Sequence, residues 1–191
     1  MKSTSAISAC LCLFATSALA ETLVTPPYAS NPPWKNITDK RNSQGHVREW
    51  IPATQTESNI LDIVTEQKFF TIKNGDPAAM VARIANGAKG SCDSVRANGL
   101  KRGTENGYPV AYGQVYCQHQ KGTPFDVTIF VKAMVGHQAM YVVQREFQRP
   151  TETNGVAGVV VMNKPSDVQA LMAGQVAGDK YLASAVKLNP K

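Results

Sequence analysis

The chain has 191 residues, 20 basic against 14 acidic, for a formal net charge of +6. Hydrophobic residues make up 43% of it, enough for one domain with a real core, which excludes a disordered or low-complexity chain. The basic excess is spread rather than gathered into blocks, so a nucleic-acid-binding tract is not expected and a mildly cationic surface is.

The first element reads as a leader. Lys2 supplies a positive start, and residues 6–15 form an apolar, small-residue run too short to span a bilayer. Ala18 and Ala20 make the A-x-A pattern of a signal peptidase site, so cleavage after Ala20 leaves Glu21 as the first mature residue. Such a leader directs the protein to the periplasm or beyond. Ile7-Ser8-Ala9-Cys10 offers a second arrangement, a lipoprotein acylated at Cys10, after a shorter apolar run. No other stretch is apolar enough to span a membrane.

Cys10 and Cys12 leave with the leader, and Cys92 and Cys117 remain. An even pair in an oxidising compartment predicts one disulfide. The competing reading makes one of them a nucleophile with His119 or His137 as its base, and no spacing motif supports it.

Residues 21–46 read as a proline-rich N-terminal arm. Pro26-Pro27 and Pro32-Pro33 remove backbone donors and stiffen the chain, and 40–45 is wholly polar or turn-forming. Tyr28 and Trp34 are its tethers, and Asn36-Ile37-Thr38 matches a glycosylation sequon. Residues 47–191 then form a single domain. Glu49-Trp50-Ile51-Pro52 predicts a short strand, 60–72 a β-branched strand, and Asn74-Gly75 a turn. Asp76-Pro77 opens a helix that Asn86-Gly87 closes, with Met80 and Ile84 facing inward. Residues 87–107 carry Gly87, Gly90, Gly99, Gly103 and Gly107 and predict a long loop pinned by Cys92.

Three strands follow, at 108–119, 125–135 and 140–147. The last two form an antiparallel hairpin turned at Gly136-His137. In 125–135 the apolar alternation is clearest, although Phe130 and Met134 interrupt the polar side of Asp126, Thr128 and Lys132. A further strand is predicted at 156–162. The capping box Ser166-Asp167-Val168-Gln169 starts a last helix. The order predicts an α+β fold: a mainly antiparallel sheet of about five to six strands with two helices packed on one face.

No motif designates a catalytic residue, a metal ligand or a cofactor. His46, His119 and His137 show no metal-ligand spacing, and there is no nucleophile elbow or phosphate-binding loop. Glu146 with Arg145 or Arg149, and Glu49 with Asp62, read as solvated ion pairs or paired carboxylates. The leading site is a partner- or anion-binding cluster of Lys89, Arg96, Lys101 and Arg102 beside the disulfide. Tyr108, Tyr112 and Tyr116 form a stripe that packs or stacks.

Glu49-Trp50-Ile51-Pro52, Gln55-Thr56, Asn59 and Val64-Thr65-Glu66-Gln67 resemble a W-I-P, Q-T-x-x-N, T-x-Q pattern of small exported proteins of proteobacteria. The resemblance implies a bacterial periplasmic or secreted protein and brings no catalytic residues. The expected function is a non-enzymatic binding or accessory protein of the envelope, with an unknown protein or an anionic envelope component as partner. Two alternatives stand beside it. One is a small secreted hydrolase joining His119 or His137 to Glu146 or Asp126. The other is a structural or inhibitory protein acting through residues 21–45.

Overall fold

The computed structural model describes residues 21–25, 33–151 and 176–190. The leader and its cleavage site, Tyr28, the strand expected at 156–162 and the capping box at Ser166 lie outside the described residues.

Nine strands and one long helix make up the described chain: β1 (Thr22–Val24), β2 (Trp34–Arg41), β3 (Gly45–Pro52), β4 (Asp62–Phe69), α1 (Pro77–Ser91), β5 (Cys92–Glu105), β6 (Tyr108–Gln120), β7 (Phe125–Val135), β8 (Met140–Pro150) and β9 (Lys187–Asn189). A helical segment over 176–180 passes into a π-helical turn at Tyr181–Ala185 just before β9. Seven strands form one antiparallel sheet in the order β2-β3-β4-β8-β7-β6-β5, and β1 pairs with β9 in a small second sheet. The fold is α+β, with a larger sheet than the sequence predicts.

The two helical elements pack on opposite faces of that sheet, not on one. Ala78, Met80 and Val81 of α1 bury against Ala111, Val131, Ala133 and Val142. Leu182, Val186 and Leu188 bury against Val110, Phe130, Met134 and Val143 on the other side. Phe130 and Met134, which break the alternation of β7, are the reason. With Val131 and Ala133 on the reverse, β7 is apolar on both faces, and such a strand needs cover on both.

The N-terminal arm is a part of the sheet. Its polar run forms the β2–β3 turn, where the Asn42 side chain accepts from the amides of Gln44 and Gly45 at 2.9 Å each. Trp34 tethers it as expected, packing on the core and lying 5.4 Å from the Arg145 guanidinium. Glu21 lies beyond, 6% exposed. Its carboxylate accepts from the amides of His137 and Gln138 at 2.6 and 2.8 Å and from the Tyr141 hydroxyl at 3.0 Å. A Cβ at Gly136 would collide with that carboxylate, which is why the β7–β8 turn carries glycine there.

Nor are residues 87–107 a loop. Gly87 and Gly90 lie within α1, which runs on to Ser91, and residues 92–105 form the long edge strand β5. Asn106 and Gly107, at φ 51° and 84°, form the two-residue connection to β6. Asn-Gly at both positive-φ places is the composition that closes a tight hairpin, so the end of β5 was marked in the sequence.

Candidate functional site

The four predicted cations do not form one patch. Lys89 sits in the last turn of α1. Arg102 faces the α1 side of the sheet and holds the Asp76 carboxylate through bonds of 2.7 and 3.0 Å. Asp76 is the N-cap of α1 and accepts from the Ala78 amide at 2.9 Å. The Arg102 bonds first, and then the helix amides, hold this exposed carboxyl below its ordinary range. Arg102 is therefore a helix-end partner.

Arg96 and Lys101 lie on the other face, opposite Tyr116 and Tyr112 of β6. An odd separation would place them on opposite faces of a regular strand. One extra residue between Asn98 and Lys101 reverses the alternation, and Gly99 at φ +65° supplies the left-handed conformation such a bulge uses. Lys101 Nζ lies 5.9 Å from the Tyr112 ring centroid, and the Arg149 guanidinium lies 5.7 Å from that of Tyr116. The Tyr116 hydroxyl donates to Asp126 at 3.0 Å and accepts from Arg149 at 3.4 Å. Burial, and then the Asp126 charge, push the Tyr116 phenol up, so it stays a protonated donor. Arg96, Lys101 and Arg149 with Tyr112 and Tyr116 form a cationic, aromatic surface at the β5 end of the sheet. Tyr108 does not join it, being 4% exposed in the core with its ring 5.5 Å from that of His137.

The carboxylate sites resolve differently. Arg145 pairs with Asp62 through bonds of 3.1 and 2.7 Å, within 4.8 Å of the Phe147 ring and 5.3 Å of the Tyr181 ring. Glu146 points to the opposite face, which Glu49 shares through the β3–β4–β8 register. Withdrawal from water, and then the Glu49 charge, raise Glu146 from near 4.5 to about 7. The folded chain then keeps a proton that the unfolded chain has lost between those values. The penalty of the buried charge is absent below the lower pKa and complete above the upper one, so stability falls as pH rises through this window. Glu146→Gln is expected to flatten the dependence of urea midpoint on pH between about 5 and 7; an unchanged slope would assign it to another group.

The histidines stay apart. His46 Nε2 meets Asp39 at 2.7 Å, and His119 Nδ1 meets Asp93 at 2.7 Å. His119 joins Asp126 only through its backbone amide, at 2.8 Å, and His137 packs on Tyr108. Glu146 is hydrogen-bonded to neither, so the constellation expected of a hydrolase is not assembled. Among the described residues no three His, Cys, Asp or Glu side chains converge as a metal site, and no helix is long and apolar enough to cross a membrane. Cys92 and Cys117 are joined in a disulfide, with Cα atoms 5.6 Å apart, at the junction of α1 and β5.

Three polar residues with structural roles escaped the sequence: Arg149, Lys132 and Glu21. Each sits where a strand alternation or a chain end reads as solvent-facing, and only the β7 irregularity hinted at cover over Lys132.

No protein family and no curated protein matches the chain. Among solved structures it is similar to the Ran-binding protein Mog1p of Saccharomyces cerevisiae, with a TM-score of 0.46 and 8% identity over 89% of this chain and 96% of that one. A point variant of Mog1 gives 0.48 and 10% over 86% and 89%. LpqN of Mycobacterium tuberculosis, involved in cell envelope biogenesis, gives 0.40 and 13% over 92% and 88%. These are distant likenesses of chain path, and the function below is read from this chain's own residues.

Proposed function

We propose that this protein is an exported, non-enzymatic accessory protein of the bacterial envelope that binds an acidic protein segment along β5. The observation that carries the proposal is the bulge that turns Arg96 and Lys101 to one face of an exposed edge strand. β5 ends the sheet order, and among the described residues no strand pairs with its outer side. An open edge offers backbone donors and acceptors to an incoming strand, and flanking cations favour an acidic one while repelling basic chains, including a second copy of β5. Export is supported by the Cys92–Cys117 disulfide, since such bonds persist outside the reducing cytoplasm. Bacterial origin is supported by the W-I-P pattern at Trp50-Ile51-Pro52.

A photo-crosslinker placed at Thr104 of β5, with Lys40 of β2 on the far edge as control, tests this in envelope preparations. The expected result is a protein adduct from Thr104 alone, removed by Arg96→Glu with Lys101→Glu and competed by a synthetic acidic strand. Equal adducts from both edges, or an adduct indifferent to charge reversal, would overturn it.

A further inference from the structure

At the other end of the sheet, β1, the β2–β3–β4 face and Tyr141 of β8 line an open cavity of about 260 Å³. One row of residues crosses four strands in register beneath it: Arg41, His46, Lys68 and Tyr141. The next row holds Asp39, Arg48 and Glu66. Arg48 meets Glu66 at 2.6 Å, and Asp39 meets His46 at 2.7 Å.

The first row leaves two cations over. The Arg41 guanidinium lies 5.1 Å and the Lys68 ammonium 5.6 Å from the centroid of the same ring, Phe70. Lys68 also lies 4.8 Å from the Tyr141 centroid. Among the described residues neither cation forms an ion pair. Glu21 also lines the cavity: its carboxylate accepts from the two turn amides and the Tyr141 hydroxyl, and its charge acts on Lys68 without an ion-pair contact. Two like charges gathered on one aromatic ring repel each other, and ring quadrupoles offset only part of that cost. Burial lowers the Lys68 pKa, the Glu21 charge opposes this, and the Arg41 charge lowers it further.

We infer that this cavity binds a phosphate group between Arg41 and Lys68. A phosphate monoester carries nearly two negative charges at neutral pH and three terminal oxygens, so it can engage Arg41 and Lys68 together, which a single carboxylate does less well. Arg41 offers a planar fork of donors and Lys68 a compact point charge, the two modes by which proteins hold phosphate oxygens. The cavity is below the range that encloses a drug-sized ligand, so it holds the anionic group and little of what bears it. Free phosphate and a phosphate-bearing lipid headgroup share this chemistry.

Calorimetric titration with inorganic phosphate, at ionic strength held constant with chloride, tests the site. The expected result is saturable one-site binding, weakened about tenfold or more in Arg41→Ala and in Lys68→Met, the scale of one lost charge-assisted hydrogen bond. Arg96→Ala, at the far end of the sheet, should bind as the parent does. Arg41 is exposed, so Arg41→Ala carries the test even where Lys68→Met fails to fold. Capture by phosphatidic acid vesicles, released by free phosphate, would identify the headgroup as the source; saturable binding without capture would identify a soluble phosphate. Absence of saturable binding, or binding unaltered in Arg41→Ala, overturns the site.

Discussion

Replacing Lys132 with alanine is expected to destabilise the folded chain by about 3–5 kcal/mol, the scale of breaking a buried pair from one side. Lys132 is fully buried, and its ammonium donates to Glu105 Oε2 at 2.6 Å and to the carbonyls of Leu182 and Val186 at 2.9 Å each. All three protons are thus used. The two carbonyls belong to the end of the terminal helical segment, where no further turn supplies amides. Lysine here does what a C-cap does elsewhere, from the strand directly beneath the segment. Alanine would strand one carboxylate and two carbonyls and leave a cavity as well. Lys132→Met keeps the stem and is expected to cost less, about 3 kcal/mol, because only the polar loss remains. Hydrogen exchange should locate that loss at 181–189 and β1, with α1 on the opposite face still protected. A methionine variant unfolding at the parent's denaturant midpoint would refute the clamp.

The second large effect is expected from Cys92→Ser with Cys117→Ser. The bond spans a sequence separation of 25 and closes a loop containing all of β5 and its hairpin turn. Chain-entropy reasoning gives about 3.5 kcal/mol for such a loop, which lowers the melting temperature by roughly 10 °C in a domain of this size. The position of the bond decides where the loss shows. Cys92 and Cys117 pack with Val127, Val95 and Ala88, so the staple fastens the end of α1 to the sheet. Residues 94–105 keep their β6 partners without it. Mobility should therefore appear at the last turn of α1 and the first residues of β5, rather than along 87–107 as a loop would show. Thiol titration of a chain comprising residues 21–191, unfolded but not reduced, should find no free thiol; two per chain would overturn the bond.

Where the signals were local, the chain could be read directly. β7 spans Phe125–Val135 and α1 begins at Pro77 behind an Asp76 cap, both as expected. Strand alternation and helix capping act within a few residues, so the sequence carries them whole. The candidate site was half legible. Arg96 and Lys101 stood out by charge and Tyr112 and Tyr116 by spacing, but the bulge that aligns the cations was not read. Arg149 joins them from β8, distant in sequence, and no local pattern announces such a neighbour.

The sequence by itself determined the pairing of Cys92 with Cys117, the start of α1 and the β7–β8 hairpin, because each rests on interactions among near neighbours or on an elimination. The tertiary structure alone decided that the polar segments 34–41 and 92–105 are edge strands. Such strands bury little, so no apolar pattern marks them; they are held by backbone bonds that exist only once β3 and β6 are in place. It also decided the fates of Lys132, Glu21, Arg41 and Lys68. A charged side chain carries no sign of whether it will meet water, a carboxylate or another cation, and that depends on which strands lie in register beside it.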